Sequence, residues 1–398
     1  MERDEKQEAK VSRRSFLGQS SLGALGAGLS LAGAGGAAGP AAAQEEPKAV
    51  PQVELGDTGR KVGVIAFGSY GLGEAPDVLA RAVEAGINFV DTGPDYSGGN
   101  VERTIGQALK QVERDAVVLE TKWHVNAGST KEDLLGQLDA CLERLDTPKV
   151  DFINAYSPAK VEDFSNPAML EAFDEAQAAG KADFLGTSAH GGDVGGVLRA
   201  ALDCGRVSLF LLKYNFMDFR PLEALAQEAH DKGIGLVAMK CKAGNQQEEL
   251  PVAGDVDGKL AATKWALHTG YVHSVCAQIT SLEDVDYLVR NVTKVFTPEE
   301  QAYLDRYREH FAGRYCRHCG TCAEACPRSV AVADIMRYRM YFRYYKLEKD
   351  SMRRYAELRP EQTAAACVGC PGHCVGACPH GIPTQERLVS AHKMLRMA

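Results

Sequence analysis

The chain has 398 residues, room for two or three domains and a full core. Its 45% apolar and 25% charged residues are ordinary shares for a soluble globular protein. A formal net charge of −8 argues against general nucleic-acid binding, and beyond the N-terminus nothing is long and apolar enough to span a bilayer.

In chain order, the first feature is "VSRRSFLG" (11–18). Its Arg13-Arg14 pair precedes an uncharged Leu/Ala/Gly-rich stretch from Ser15 to Gln44, within which Ala41-Ala42-Ala43 forms a small-residue cleavage pattern. A polar start, an apolar middle and a small-residue end predict an export signal of the twin-arginine type over 1–43, then a linker over 44–52. A flexible Gly/Ala tail is the alternative. Cleavage after 43 removes five basic and four acidic residues and takes the charge from −8 to −9. A twin-arginine signal implies export to the periplasm of a chain already folded around its cofactor.

Residues 61–292 alternate apolar runs with amphipathic stretches. The runs predict strands at 62–68, 88–92, 116–122, 151–157, 182–188, 208–214, 235–240 and 274–280, each followed by a helix-length segment such as "TKEDLLGQLDACLERL" (130–145). Eight such units predict a closed (β/α)8 TIM barrel over 53–312. A doubly wound sheet is the runner-up, although no G-x-G-x-x-G follows the first strand. Barrels gather their chemistry at the C-terminal ends of the strands. The polar residues there are Asp91, Lys122, Tyr156, Ser188 and Lys240, with Tyr96 in the second loop and His124 and His190 just beyond strands three and five.

A small ferredoxin-like iron–sulfur domain with a helical insert is predicted over 313–398. Of twelve cysteines, Cys141, Cys204, Cys241 and Cys276 fall in apolar patterns and read as small core residues. The other eight form two runs: Cys316, Cys319, Cys322 and Cys326 before Pro327, then Cys367, Cys370, Cys374 and Cys378 before Pro379. C-x2-C-x2-C-x3-C-P is the run of bacterial ferredoxins, in which the fourth cysteine ligates the other cluster. Two 4Fe–4S clusters are therefore expected. One sits on Cys316, Cys319, Cys322 and Cys378, the other on Cys367, Cys370, Cys374 and Cys326. The second run carries one extra residue between its second and third cysteines. Zinc–thiolate sites and disulfides are the alternatives. From Arg314 to Arg354, ten basic residues stand against four acidic, a net +6. This basic helical stretch reads as a solvated face, or as a docking face for an acidic redox partner with stacked tyrosines shielding the clusters.

Several stretches together resemble the aldo-keto reductase family over about 53–310: "DTGPDYSGGNVERTIGQAL" (91–109), "ETKWH" (120–124), "FLGTSAHG" (184–191), "KYNFMD" (213–218), "GIGLVAMKCKAG" (233–244) and "TSLEDVDYLVRNV" (280–292). The opening "VELGDTGRKVGVIAFG" (53–68) resembles the hairpin that caps such a barrel's bottom, and 315–383 resembles the tail of a ferredoxin-bearing branch. The resemblance implies an Asp–Tyr–Lys–His tetrad working with NADP(H). Tyr96 would be the proton donor, Lys122 would lower its pKa, Asp91 would hold Lys122, and Ser188 would contact the nicotinamide amide. The pattern departs at three places. Tyr156 stands where histidine is usual and can orient a carbonyl oxygen through its hydroxyl. Gln278 stands where glycine is usual and Arg290 where glutamate is usual, while Asn291 is retained.

These observations point to an exported oxidoreductase acting on a carbonyl or alcohol. The competing readings are an electron-transfer or ligand-binding protein with a degenerate barrel, and a tail merely stapled by its clusters. Hydride transfer moves two electrons together, whereas each cluster passes one.

Overall fold

A computed structural model describes residues 48–246, 249–250 and 256–396. The predicted export signal lies outside the described residues.

Ten strands run in chain order: β1 (Gln52–Glu54), β2 (Lys61–Gly63), β3 (Ile65–Gly68), β4 (Phe89–Asp91), β5 (Val118–Trp123), β6 (Val150–Tyr156), β7 (Ala182–Ala189), β8 (Val207–Lys213), β9 (Gly235–Met239) and β10 (Ser274–Gln278). Strands β3 to β10 pair parallel in sequence order, and β10 closes onto β3. The expected first strand, 62–68, is divided. Its first part, β2, pairs antiparallel with β1, and only β3 enters the barrel. The resulting hairpin plugs the barrel's bottom, with Leu55 and Val62 packed against Phe89, Phe152 and Leu209 near the strand starts.

The period-two alternation of a strand decides what the barrel holds. In β6, Phe152, Asn154 and Tyr156 climb the inside, while Ile153 and Ala155 pack outward into the larger core. Gly186 on β7 leaves the space that Asn154 needs, since a Cβ there would fall 1.7 Å from Asn154 Oδ1. The helices follow their own period. In Lys131–Leu145, capped by Thr130 and Asp133, the buried residues are Leu134, Leu138, Cys141, Leu142 and Leu145.

The helix Pro298–Phe311 lays Tyr303, Leu304, Tyr307 and Phe311 against the barrel, and Tyr315 is still part of that core. The next residue is the first cysteine of the tail. Beyond it the described residues form helices and no strand. Val332–Tyr344, Glu348–Ala356 and Thr384–Leu395 surround a small core of Ile335, Met336, Tyr355, Ile382 and Leu388 together with Cys367 and Cys374.

The first two of these helices lie over the barrel mouth. Tyr70 donates a hydrogen bond to Asp350, Arg354 Nη2 donates to the Asp95 carbonyl at 3.0 Å, and both Arg343 Nη2 and Tyr344 Oη donate to Glu249 Oε1 at 2.9 Å. The basic stretch is therefore not one solvated face. Tyr341 and Tyr345 pack toward the barrel rather than shielding the clusters, because Tyr341 meets the Tyr70 ring at 5.4 Å and the Lys240 ammonium at 5.8 Å.

Candidate active site and cluster pockets

Adjacent strands build the floor of the mouth. Asp91 ends β4 and pairs in register with Glu120 on β5, and Lys122 follows two residues later on the same inward face. The Lys122 ammonium donates to Asp91 and to the Thr92 carbonyl, and it lies 3.1 Å from Glu120. Burial alone would push the Lys122 pKa down, but the two carboxylates hold it above its ordinary value. Glu120 shares this single cation while buried, so its own pKa rises well above the usual carboxylate range. Asn154 Nδ2 donates to Glu120 Oε1 at 2.7 Å and completes the layer. Glu120 was absent from the sequence-based site. The alternation of "LETK" is the signal for it, since it places Glu120 and Lys122 on one face.

Tyr96 comes from the loop after β4. Ser97, Gly98 and Gly99 take left-handed backbone in succession, with φ of 50°, 64° and 85°, which reverses the chain into the helix Asn100–Leu109. A Cβ on Gly99 would meet Arg144 Cδ at 2.7 Å. Lys122 Nζ lies 5.3 Å from the Tyr96 ring centre and 5.8 Å from that of Tyr156. The expectation that Lys122 lowers the Tyr96 pKa is not met. Burial pushes the phenol well above its ordinary value, and Asp91, Tyr156 and Glu120 push the same way, because the lysine's charge is already balanced by carboxylates. Burial takes Tyr156 up to about 12 against the pull of Lys122.

Asp91, Tyr96, Lys122, Tyr156 and Ser188 line one cavity of about 590 Å³, a size suited to a small molecule. Its roof is the tail, through Arg337, Tyr341, Tyr345 and Arg354. The Ser188 hydroxyl accepts from Ser157 N at 3.0 Å and donates to the Ala155 carbonyl at 3.3 Å. Asn291 does not line this cavity. Its amide donates to the Tyr287 carbonyl of its own helix and its oxygen accepts from Lys294. Arg290 likewise bonds back to the Asp286 carbonyl, and Gln278 donates across to the Tyr70 carbonyl at 3.0 Å. Of Gln278, Arg290 and Asn291, only Gln278 lines the cavity.

The eight tail cysteines separate into two sets of four. Cys316, Cys319, Cys322 and Cys378 line one small cavity, and Cys326, Cys367, Cys370 and Cys374 line another. Each set takes three thiols from one run and the fourth from the other, and all eight are free thiols. Among the described residues, no group of three or more His, Cys, Asp or Glu converges tightly enough for a single metal ion. Four thiols per set, three from one run and one from the other, are the crossed ligation of a paired-cluster ferredoxin, and the donor sets fit iron–sulfur cubes. His318, Gly320 and Ala333 line both the first cysteine cavity and the barrel cavity.

A parallel eight-stranded barrel with polar groups at its C-terminal mouth defines a (β/α)8 barrel protein. Comparison with known families is specific on both parts. Residues 63–246 match the model of the aldo/keto reductase family, and residues 315–383 match that of a 4Fe-4S dicluster domain. It is similar to the NADH-specific methylglyoxal reductase of Escherichia coli, 26% identical over 46% of this chain and 64% of that one. L-galactose dehydrogenase of Arabidopsis thaliana is 29% identical over 46% and 63%. The chain thus spans less than two thirds of the length of these curated relatives. Among solved structures, the aldo-keto reductase AKR11C1 of Bacillus halodurans superposes with a TM-score of 0.55 at 22% identity, covering 65% of this chain and 96% of that one. At that identity the likeness shows the fold alone. Among the described residues, no helix is long and apolar enough to cross a membrane.

Proposed function

We propose that the protein is an exported oxidoreductase of the aldo-keto reductase type. It interconverts a carbonyl and an alcohol at the barrel mouth, with two 4Fe–4S clusters in the tail as its electron carriers. The observation that carries this reading is the shared wall: His318, Gly320 and Ala333 face both the barrel cavity and the first cysteine pocket. When bound, each cluster exchanges one electron at a time, and two clusters match the two electrons of a carbonyl/alcohol couple.

The remaining work belongs to the chain's own residues. Tyr96 stays protonated at its hydroxyl because burial and the neighbouring carboxylates disfavour the phenolate. It gives that proton only when negative charge develops on a carbonyl oxygen. Tyr156 directs a hydroxyl at the same oxygen. The second proton comes from solvent. The helices Val332–Tyr344 and Glu348–Ala356 cover the site.

The test is anaerobic. Dithionite-reduced protein is mixed with a panel of aldehydes and ketones while the reduced-cluster EPR signal is followed. The expected result is substrate-dependent loss of that signal, slowed about 10²–10⁴-fold in Tyr96→Phe. Rapid NADPH oxidation by a carbonyl, with the cluster signal unchanged, would sink the reading in favour of ordinary hydride transfer. Export rests on Arg13-Arg14 ahead of a cluster domain that must be assembled inside the cell. Replacing both arginines by lysine should hold the protein in the cytoplasm, and normal periplasmic amounts would count against it.

A further inference from the structure

Across the eight-strand ring from β5 stands β9, and this wall of the cavity is built differently from the floor. It collects His190 just past β7, Lys240 just past β9, His318 from the loop between the first two cluster cysteines, and Arg337 from the covering helix. Lys240 and His318 sit on left-handed backbone, with φ of 56° and 58°, a strain that the surrounding fold must sustain.

Positive charge is poorly balanced here. Lys240 Nζ donates to the Tyr341 hydroxyl at 3.3 Å, and no carboxylate pairs with it among the described residues. The carboxylate beside Arg337 is Asp334, at 3.6 Å and half exposed, too far for a charge-assisted hydrogen bond. The neighbouring Lys213, by contrast, is neutralised by Asp218 at 2.6 Å. Three donor-bearing atoms of the wall are buried with no partner: His190 Nδ1, His318 Nε2 and Arg337 Nε. His318 is only 8% exposed. Gly191 lets Arg337 approach the His190 loop, since a Cβ there would lie 3.3 Å from Arg337 Nη2. Burial, reinforced by Arg337 and Lys213, pushes the Lys240 pKa well down. An apolar ligand would leave all of these groups unanswered.

We propose that His190, Lys240, His318 and Arg337 form an oxyanion site that holds a carboxylate or phosphate group of the substrate. The Arg337 guanidinium supplies charge, and Lys240 and the imidazoles supply further N–H donors. The Tyr156 ring lies 6.3 Å from that of His190, so the cationic wall adjoins the Tyr156 side of the cavity. One molecule can place its carbonyl at Tyr96 and its anionic group at Lys240. Calling this molecule the substrate rests on the oxidoreductase reading; the anion site does not.

The experiment is calorimetric titration of anaerobically purified, cluster-loaded protein with malonate and with inorganic phosphate, using chloride at matched ionic strength as control. Saturable binding of one equivalent is expected, weakened about 10–100-fold in both Lys240→Met and Arg337→Gln. Cluster absorption and melting temperature certify that each variant is folded, and the tighter probe tells carboxylate from phosphate. No saturable binding of either probe, or equal binding in the variants, overturns the site. Anion binding without any carbonyl turnover leaves the site standing and removes the oxidoreductase reading. Turnover of neutral carbonyls without anion binding does the reverse.

Discussion

Lys122 at the end of β5 and Lys240 just past β9 line one cavity, yet their surroundings are opposite. Lys122 touches Asp91 and lies 3.1 Å from Glu120, and those carboxylates hold its pKa up. Lys240 has a tyrosine hydroxyl on one side and Arg337 and Lys213 as its charged neighbours, and its pKa is driven down by burial and by those cations. Strand-end position alone therefore says little about a lysine's role. What decides it is whether the neighbouring strands bring carboxylates. A balanced charge belongs to the protein's own machinery, and an unbalanced one waits for a ligand.

The largest effect expected from breaking this comparison is at the floor. Lys122→Met leaves Asp91 and Glu120 buried without their cation, and losing one partner of a buried pair costs about 3–5 kcal/mol. Urea unfolding should show that loss, with a lower midpoint at unchanged slope. Stability within about 1 kcal/mol of wild type would mean that the floor is hydrated rather than charge-locked.

A smaller effect is expected where the tail meets the barrel. Asp350 accepts from Tyr70 and from Arg353 and Arg354 at once. Asp350→Ala strips these bonds and should cost about 1–3 kcal/mol, felt mainly by the covering helices. Hydrogen exchange should quicken over 332–356 while the barrel strands stay protected. Uniform quickening through β4 to β6 would show instead that barrel and tail unfold as one unit.

How much of this was legible beforehand follows from which interactions are local. The strands were legible because alternation and apolar runs are properties of five to eight neighbouring residues. The division of 62–68 was not, since it lies in the pairing of 61–63 with the distant 52–54 rather than with the barrel. Asp91, Tyr96, Lys122, Tyr156 and Ser188 were found because strand ends converge by topology, and they do share one cavity. Glu120 is not legible in that way because it sits one layer below the strand ends, two residues before Lys122. The roof escaped for a deeper reason. Tyr70 and Asp350 are 280 residues apart in the chain, and nothing local in a basic, tyrosine-rich helix says which surface it will cover.

The smallest effect has the most telling sign, and it concerns Lys240→Met. Removing a buried cation with no carboxylate partner relieves a desolvation cost, so this variant should be as stable as wild type near neutral pH, or slightly more so. Linkage gives a sharper test. A lysine whose folded pKa lies below its unfolded value of about 10.4 binds fewer protons in the native state, so stability rises with pH between the two values. Conversely, stability falls as pH drops from 10.4 toward the lowered folded pKa. The Lys122 shift has the other sign: its contribution is complete below the unfolded pKa and is lost only as pH climbs through the raised folded one. Unfolding of wild type and Lys240→Met should therefore be measured from pH 7 to 10. The difference between them should shrink as pH rises, because the unfolded lysine too loses its proton as pH nears its own pKa and the cost of deprotonating it on folding disappears. If the variant were less stable than wild type at pH 7 and the gap widened with pH, Lys240 would have a partner that balances its charge. The contrast between the two lysines would then be wrong.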